Sequence, residues 1–406
     1  MANVFTAFAG NANALAQTLF QSSSGISLVA GSVVYQGANN ASSTFDSLSL
    51  GGAVISGPGI LLTSGDGTPP LFNSSGSYTE GNGEPGDADL TSIVQTAFPG
   101  AGETQDATVL SFKVNVAAGI KTIVFDVVFG SDEYSEWSDS SFVDIAAILV
   151  NGQNAAFFSG DKKKPLSILD KNLGYFQDNE SNGAIAFEYD GISNKLTVIA
   201  KVHEGVNDIK IAIADTGDTA YDSGIFIANI RGSTSDVSGI LNEIAGTTGN
   251  DILKAIKGID NLLIGDLGLD KLQANTGTDF LQGDDDPESG TGTTGKSDLD
   301  AVAASENFKD KFVFKKVDFL NKKIEKTDVI LDFDEKDVID FSAMVGPELE
   351  FIGRDGFSGN GGEVRYKQFK KSDFTAVYVD TNGDGKTDAS LKLLGLHKLK
   401  DGDFDL

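Results

Sequence analysis

Four times between Gly249 and Leu281 the chain sets a glycine, an aspartate two residues later and a leucine two after that: Gly249-Asp251-Leu253, Gly258-Asp260-Leu262, Gly268-Asp270-Leu272 and Gly277-Asp279-Leu281. Successive repeats are spaced nine, ten and nine residues apart. The chemistry on offer is cation ligation. Aspartates supply hard oxygen ligands suited to Ca²⁺, glycines allow a tight, partly left-handed loop backbone, and each leucine is placed to stack on the leucine of the next turn. This is the signature of a calcium-loaded parallel β-roll, whose turns spend about six residues on loop and about three on strand. Asp251, Asp260, Asp266, Asp270, Asp279 and Asp284 are its candidate Ca²⁺ ligands. Several turns lack a glycine of the full Gly-Gly-x-Gly-x-Asp pattern, as in Ala255-Ile256-Lys257-Gly258-Ile259-Asp260, so fewer ions than loops are expected. The competing reading is a polar linker with an accidental period, against which four in-register matches weigh.

Three further acidic segments offer oxygen ligands. Ser131 to Asp139, followed by Asp144, gathers carboxylates beside Trp137, the only tryptophan. Asp132, Glu133 and Asp144 are candidate metal ligands there; a carbohydrate platform built on Trp137 and a solvated acidic loop are the alternatives. Asp215, Asp218 and Asp222 form a second acidic loop on the same terms, and spacing does not say whether the two loops meet. Asp380, Asn382, Asp384 and Asp388 match ligand positions of an EF-hand-type loop. The twelfth position is Leu391 where a bidentate glutamate would stand, so a firm calcium site competes with a β-hairpin turn or a weak site.

Catalytic constellations are scarce. The two histidines, His203 and His397, have no partner histidine, and no His-Glu-x-x-His occurs, which excludes zinc proteolysis of that type. Without cysteine there is no thiol nucleophile. A pair of carboxylates hydrolysing a glycosidic bond is the one enzymatic route left open, and no enzyme is expected.

These residues need elements to hold them. At 406 residues the chain accommodates two or three domains, and 27 phenylalanines can fill real cores. The expected fold class is all-β. Residues 1–235 read as a β-sandwich or jelly-roll-like domain with a short N-terminal helix, marked by Phe8, Ala12, Leu15 and Leu19. Its plainest strands are Thr108 to Val116, Thr122 to Phe129, Val143 to Val150, Ala184 to Tyr189, Lys195 to Ala200, Asp208 to Ala214 and Ser223 to Ile230. Residues 236–245 read as a linker, 246–290 as the roll and 291–406 as a β-rich C-terminal cap with further roll strands. A net charge of −28 argues against nucleic acid as a partner, and no run approaches the roughly 18 apolar residues of a membrane span. The first residues carry no basic, apolar or small-residue signal pattern.

The C-terminal third resembles the RTX β-roll and the C-terminal domain of serralysin-type proteins. The resemblance is carried by the four repeats, by Asp328-Val329-Ile330-Leu331-Asp332-Phe333 with Asp337-Val338-Ile339-Asp340-Phe341-Ser342, and by the final Asp403-Phe404-Asp405-Leu406. It implies export from a Gram-negative cell by type I secretion machinery that reads the C-terminus, with calcium-triggered folding outside. The first domain resembles the choice-of-anchor L family of bacterial surface proteins. Gly59 to Asp66, Asp87-Ala88-Asp89-Leu90, Asp106 to Phe112, Val128 to Tyr134, Ile213 to Asp218 and Tyr221-Asp222-Ser223 carry this likeness in order. It implies an exposed extracellular protein with no agreed biochemical activity. The expected function is a secreted, calcium-dependent structural protein that self-associates as a surface-layer, fibre or biofilm-matrix subunit. The alternative is a monomeric adhesin binding surface polysaccharide.

Overall fold

The computed structural model describes residues 4–20, 25–180, 183–234, 238–284, 309–315, 320–344 and 348–406. The chain divides into two compact units, Met1–Asn242 and Glu243–Leu406.

The first unit is a β-sandwich. One antiparallel sheet runs in the order Phe5–Ala7, Ser42–Phe45, Gly59–Thr63, Ser223–Ser233, Thr122–Ser131, Leu196–Lys201, and the other in the order Gln153–Asn154, Ile145–Val150, Gly205–Thr216, Thr104–Val116, Ile26–Leu28. Val/Ile/Phe-rich runs such as Thr122–Ser131 are buried at every position, so both faces of each central strand must be covered. The outer face of the first sheet carries Leu61, Val128 and Phe226 against Leu48, Leu50, Ala53, Ile55 and Phe187. The outer face of the second carries Val109, Ile145, Ala147 and Ala212 against Leu90, Val94 and Ala97. Those last three lie on a helix, Ala88–Ala97, started by Asp87, whose Oδ1 accepts from the backbone N–H groups of Asp89 and Leu90. The short N-terminal helix is Ala12–Gln17.

Two sequence expectations change. Ala184 to Tyr189 is bent rather than a strand, because the buried Asn179 side chain captures its backbone: Nδ2 donates to the Phe187 and Tyr189 carbonyls and Oδ1 accepts from Ile185 N–H. The 236–245 segment is not a simple linker, since Gly239–Ala245 is a strand whose residues 239–242 extend the first sheet by pairing with Leu196–Ile199. Its Ile240 and Leu241 are buried, which favours pairing over solvation.

The second unit is a roll closed by a meander. One parallel stack is Ile252–Lys254, Lys271–Gln273, Lys311–Val313, Val338–Asp340 and Phe404–Asp405; the other is Asn261–Ile264, Phe280–Gln282, Val329–Ile330 and Ala389–Leu394. Each coil therefore contributes one strand to each stack. Leu253 stacks on Leu272, two repeats on, and not on the leucine of the next repeat. The ladder also slips by one position: Leu263, not Leu262, aligns with Leu281. Leu272, Leu281, Phe312, Ile330 and Ile339 form one core with Val364, Val377 and Leu391 of the antiparallel meander Gly362–Phe369, Phe374–Asp380, Ala389–Leu394. Roll pairing thus runs on beyond residue 290 to Asp405. The sequence also reads as ending the repeats with a flexible loop from Asp284 through Gly295, of which residues 285–295 lie outside the described residues.

Candidate functional site

In the roll, five aspartates that precede strands, Asp270, Asp279, Asp310, Asp328 and Asp337, each accept a backbone bond from the coil before. Asp251 N–H donates to Asp270 Oδ1 at 2.7 Å, Asp270 N–H to Asp310 Oδ1 at 2.7 Å, and Asp310 N–H to Asp337 Oδ1 at 3.0 Å. In the other stack Asn261 N–H donates to Asp279 Oδ1 at 3.2 Å and Asp279 N–H to Asp328 Oδ1 at 2.9 Å. Asn261 takes the place in the ladder that the repeat assigns to Asp260, which instead accepts from Thr278 N–H. One oxygen of each accepting aspartate is thereby fixed, while Asp251, in the first coil, enters this ladder as a donor only. The second oxygen divides the acceptors: in Asp279 and Asp337 it accepts the N–H groups of Asn275 and Asp334, whereas Asp270 Oδ2, Asp310 Oδ2 and Asp328 Oδ2 are buried without any hydrogen-bond partner. Glycines make room for two of them, since a Cβ on Gly265 or Gly283 would lie 2.5 Å from Asp270 Oδ2 or 2.3 Å from Asp310 Oδ2.

Asp284, Asp310, Asp332 and Asp337 crowd together with Asp334. Burial, reinforced by Asp310, Asp332 and Asp337, pushes the Asp284 carboxyl up to about 9, and burial pushes Asp337 to about 8. Asp332 is occupied, its two oxygens accepting from Gly283 and Asp284 N–H, while Asp284 Oδ1 and Asp334 Oδ2 have no partner. Asp266, also held up by burial, takes a left-handed backbone, φ 73°.

In the first unit the two acidic loops meet. Asp132 and Glu133 follow the strand Thr122–Ser131, Asp215 lies in Gly205–Thr216, Asp222 precedes Ser223–Ser233 and Asp144 precedes Ile145–Val150. Asp132 N–H donates to the Asp222 carbonyl at 3.1 Å; Asp144 accepts from Thr216 N–H at 3.1 Å and from Ser223 Oγ at 2.7 Å. Asp132, Asp144, Asp190, Asp215 and Asp222 are fully buried and Glu133 is 1% exposed. Asp218 joins electrostatically: burial, then Asp218 and Asp215, push Glu133 up to about 9. Burial, then Asp190 and Glu188, raise Asp132 well above its usual range, and burial, opposed by Glu80 N–H, brings Asp222 to about 7.

The EF-hand-type loop closes on itself. Asp380 accepts from Asn382, Gly383 and Gly385 N–H, Asp388 from Thr381, Asn382 and Lys322, and Asp384 from Lys386. It joins the antiparallel strands Phe374–Asp380 and Ala389–Leu394, the hairpin alternative. Trp137 is half-buried, with Phe142 edge-on at 5.8 Å and Tyr221 tilted against it at 5.7 Å. His203 is exposed.

Asp190, Asp310, Asp328, Asp332 and Asp337 were not singled out as ligands from sequence. Asp310-Lys311-Phe312, Asp328-Val329-Ile330 and Asp337-Val338-Ile339 do keep the repeat's Asp-x-apolar spacing without its glycine. The donor sets are oxygen throughout, which suits Ca²⁺ and not a softer metal. Among the described residues no three His, Cys, Asp or Glu side chains are arranged to hold a metal ion unaided, so backbone and hydroxyl oxygens would share the coordination.

The family model for the choice-of-anchor L domain matches residues 6–230, and that for the peptidase M10 serralysin C terminal matches residues 213–405. Among solved structures the chain is similar to the AlgE6R3 subunit of the Azotobacter vinelandii mannuronan C5-epimerase, at 22% identity over 40% of this chain and 76% of that one with a TM-score of 0.28. The AlgE6R2 subunit of the same epimerase matches at 21% identity over 40% and 91%, with a TM-score of 0.23. No curated protein matches the chain. No helix among the described residues is long and apolar enough to cross a membrane.

Proposed function

The chain belongs to the choice-of-anchor L domain family, and from that premise we propose that it is a secreted, calcium-dependent structural protein that self-associates outside the cell and performs no catalysis. One observation carries the reading: buried carboxylate oxygens with no protein partner occur in both units. A buried carboxylate without a counter-charge costs several kcal/mol, roughly, and otherwise takes up a proton. Asp270 and Asp310 of one stack, with Asp284 near Asp310, and separately Asp328 of the other stack are the residues that would hold ions. Bound Ca²⁺ supplies the positive charge that lets these groups stay ionised, and its binding free energy adds to folding stability.

Export through type I secretion machinery fits the serralysin-type C-terminal match. Self-association follows from the charge. Copies carrying −28 each repel one another until divalent ions neutralise and bridge them, which monovalent screening alone does not do. The experiment is a Ca²⁺ titration against NaCl at matched ionic strength, followed by light scattering and electron microscopy. Ordered filaments or sheets with Ca²⁺ only are expected. A chain that stays monomeric in millimolar-range Ca²⁺ and then binds polysaccharide overturns the structural reading in favour of the adhesin.

A further inference from the structure

We propose that the sandwich domain carries its own divalent-cation site, of Ca²⁺ class, in the chamber where the two acidic loops meet, with Glu133 and Asp215 as its principal ligands and Asp222 and Asp132 beside them. The inference deepens the calcium-dependent reading but stands on a different unit from the roll.

The protein's own donors leave the chamber incomplete. Asp144 is satisfied on both oxygens, by Thr216 N–H and Ser223 Oγ. Asp222 Oδ2 accepts from Glu80 N–H at 2.7 Å and Asp132 Oδ1 from Asp190 N–H at 3.2 Å. Glu133 Oε1 and Oε2, Asp215 Oδ1 and Oδ2, Asp222 Oδ1, Asp132 Oδ2 and the hydroxyl Thr216 Oγ1 are buried with none. The charges acting most strongly on each carboxylate are further carboxylates: Asp218 and Asp215 on Glu133, Asp144 and Asp222 on Asp215, Asp190 and Glu188 on Asp132. No three of the carboxylates converge unaided, so an ion here would take the partnerless Glu133 and Asp215 oxygens and complete the six to eight or so oxygens that Ca²⁺ takes with the hydroxyl, backbone oxygens and water. The residues come from strand ends and from loops 80, 133 and 222, so an ion there would tie three connections of the sandwich together.

Trp137 makes the site separately readable. Its backbone N–H donates to the Glu133 carbonyl at 3.2 Å and its ring lies against Tyr221, and no other tryptophan exists. Tb³⁺, which takes Ca²⁺ sites, is titrated into the full-length protein with tryptophan excitation, so that the emission reports this chamber. Saturable emission displaced by Ca²⁺ is expected, with apparent affinity falling by about 10-fold or more in Glu133→Gln and Asp215→Asn. Equilibrium dialysis should show those variants losing bound Ca²⁺ while the larger share, held by the roll, remains. Loss of roll binding with the Tb³⁺ signal intact would instead count against the roll sites. Should the variants not fold, the wild-type unfolding transition seen by Trp137 fluorescence decides, because Ca²⁺ must raise it. No displaceable emission, a transition indifferent to Ca²⁺, or variants titrating like the wild type overturns the proposal.

Discussion

The backbone N–H of Asp270 donates to Asp310 Oδ1 at 2.7 Å, although forty positions separate the two residues. The ladder therefore continues from the last glycine-rich repeats into a strand that has no such repeat, and Asp310 acts both as a backbone acceptor through Oδ1 and as an unpartnered carboxylate through Oδ2. The two roles separate by substitution. Asp310→Asn keeps an oxygen for Asp270 N–H and removes the charge, so it should stabilise the second unit in EDTA and destabilise it in Ca²⁺. Asp310→Ala removes the acceptor as well and should cost about 1–3 kcal/mol in both conditions. Thermal unfolding with and without Ca²⁺ checks this; an Asn variant shifted in the same direction in both would refute the assignment.

Chelation should loosen the roll before the sandwich. The roll's strands are two to four residues long for the most part, and its coils are joined through aspartate ladders with partnerless oxygens. The sandwich rests on strands of ten to thirteen residues, one buried at every position and two over most of their length. Hydrogen exchange in EDTA should show protection lost first at Leu253, Leu272 and Ile339 and retained at Val127, Ile211 and Ile227. Equal loss in both units would count against the order.

The last residues belong to the fold as well as to the expected secretion signal. Phe404 is buried, stacks on Phe341 and Phe351, and its strand pairs with Ile339 and Asp340. Lys311 Nζ ties Asp405, at 2.6 Å, to Asp340, at 3.0 Å. Deleting Asp401 to Leu406 should block export and also strip protection from Val338–Asp340. Ile339→Ala separates the effects: Ile339 is buried and pairs with Phe404, so the variant should destabilise the roll by about 2–5 kcal/mol while Asp401 to Leu406 remain intact to be read. Secretion of the truncated chain at the normal level would remove the signal from this segment.

The sequence carried the roll plainly, because side-chain register is written into a nine-residue period. What it hid was the coil. A period counts residues between similar strands, and only pairing reveals that Leu253 meets Leu272 while the neighbouring repeat builds the opposite wall. The slip that puts Asn261 and Leu263 in the ladder was visible as the ten-residue spacing, yet its direction depends on packing. In the sandwich, Asp132, Glu133, Asp215 and Asp222 could be named from local composition, but their meeting is a property of strand pairing across the sheets. Asp190 was missed because it sits in a bent segment that Asn179 holds, with an apolar pattern that reads as a strand.

A different buried charge sets the acid limit of the sandwich. Burial alone would raise the Asp126 carboxyl; Arg231 and Lys195, with Asn229, reverse this and hold it at about 2. Arg231 Nη1 lies 2.8 Å from Asp126 Oδ1, and both side chains are almost wholly buried. The folded value lies below the ordinary 3.8, so this group's stabilisation is complete above the ordinary value and is lost as pH falls through the folded one. Arg231→Met leaves the carboxylate with Lys195 at 3.4 Å and should cost about 3–5 kcal/mol near neutral pH. In that variant burial raises the folded value, so a protonated Asp126 no longer needs the guanidinium and the gap between variant and wild type should narrow as pH falls below the ordinary carboxylate range. Urea unfolding of both proteins in excess Ca²⁺ across that range measures the gap, and taking the difference cancels the titration of the other carboxylates. A gap that stays constant from neutral pH to about 2 would mean that Arg231 stabilises the sheet by packing and not by its pairing with Asp126.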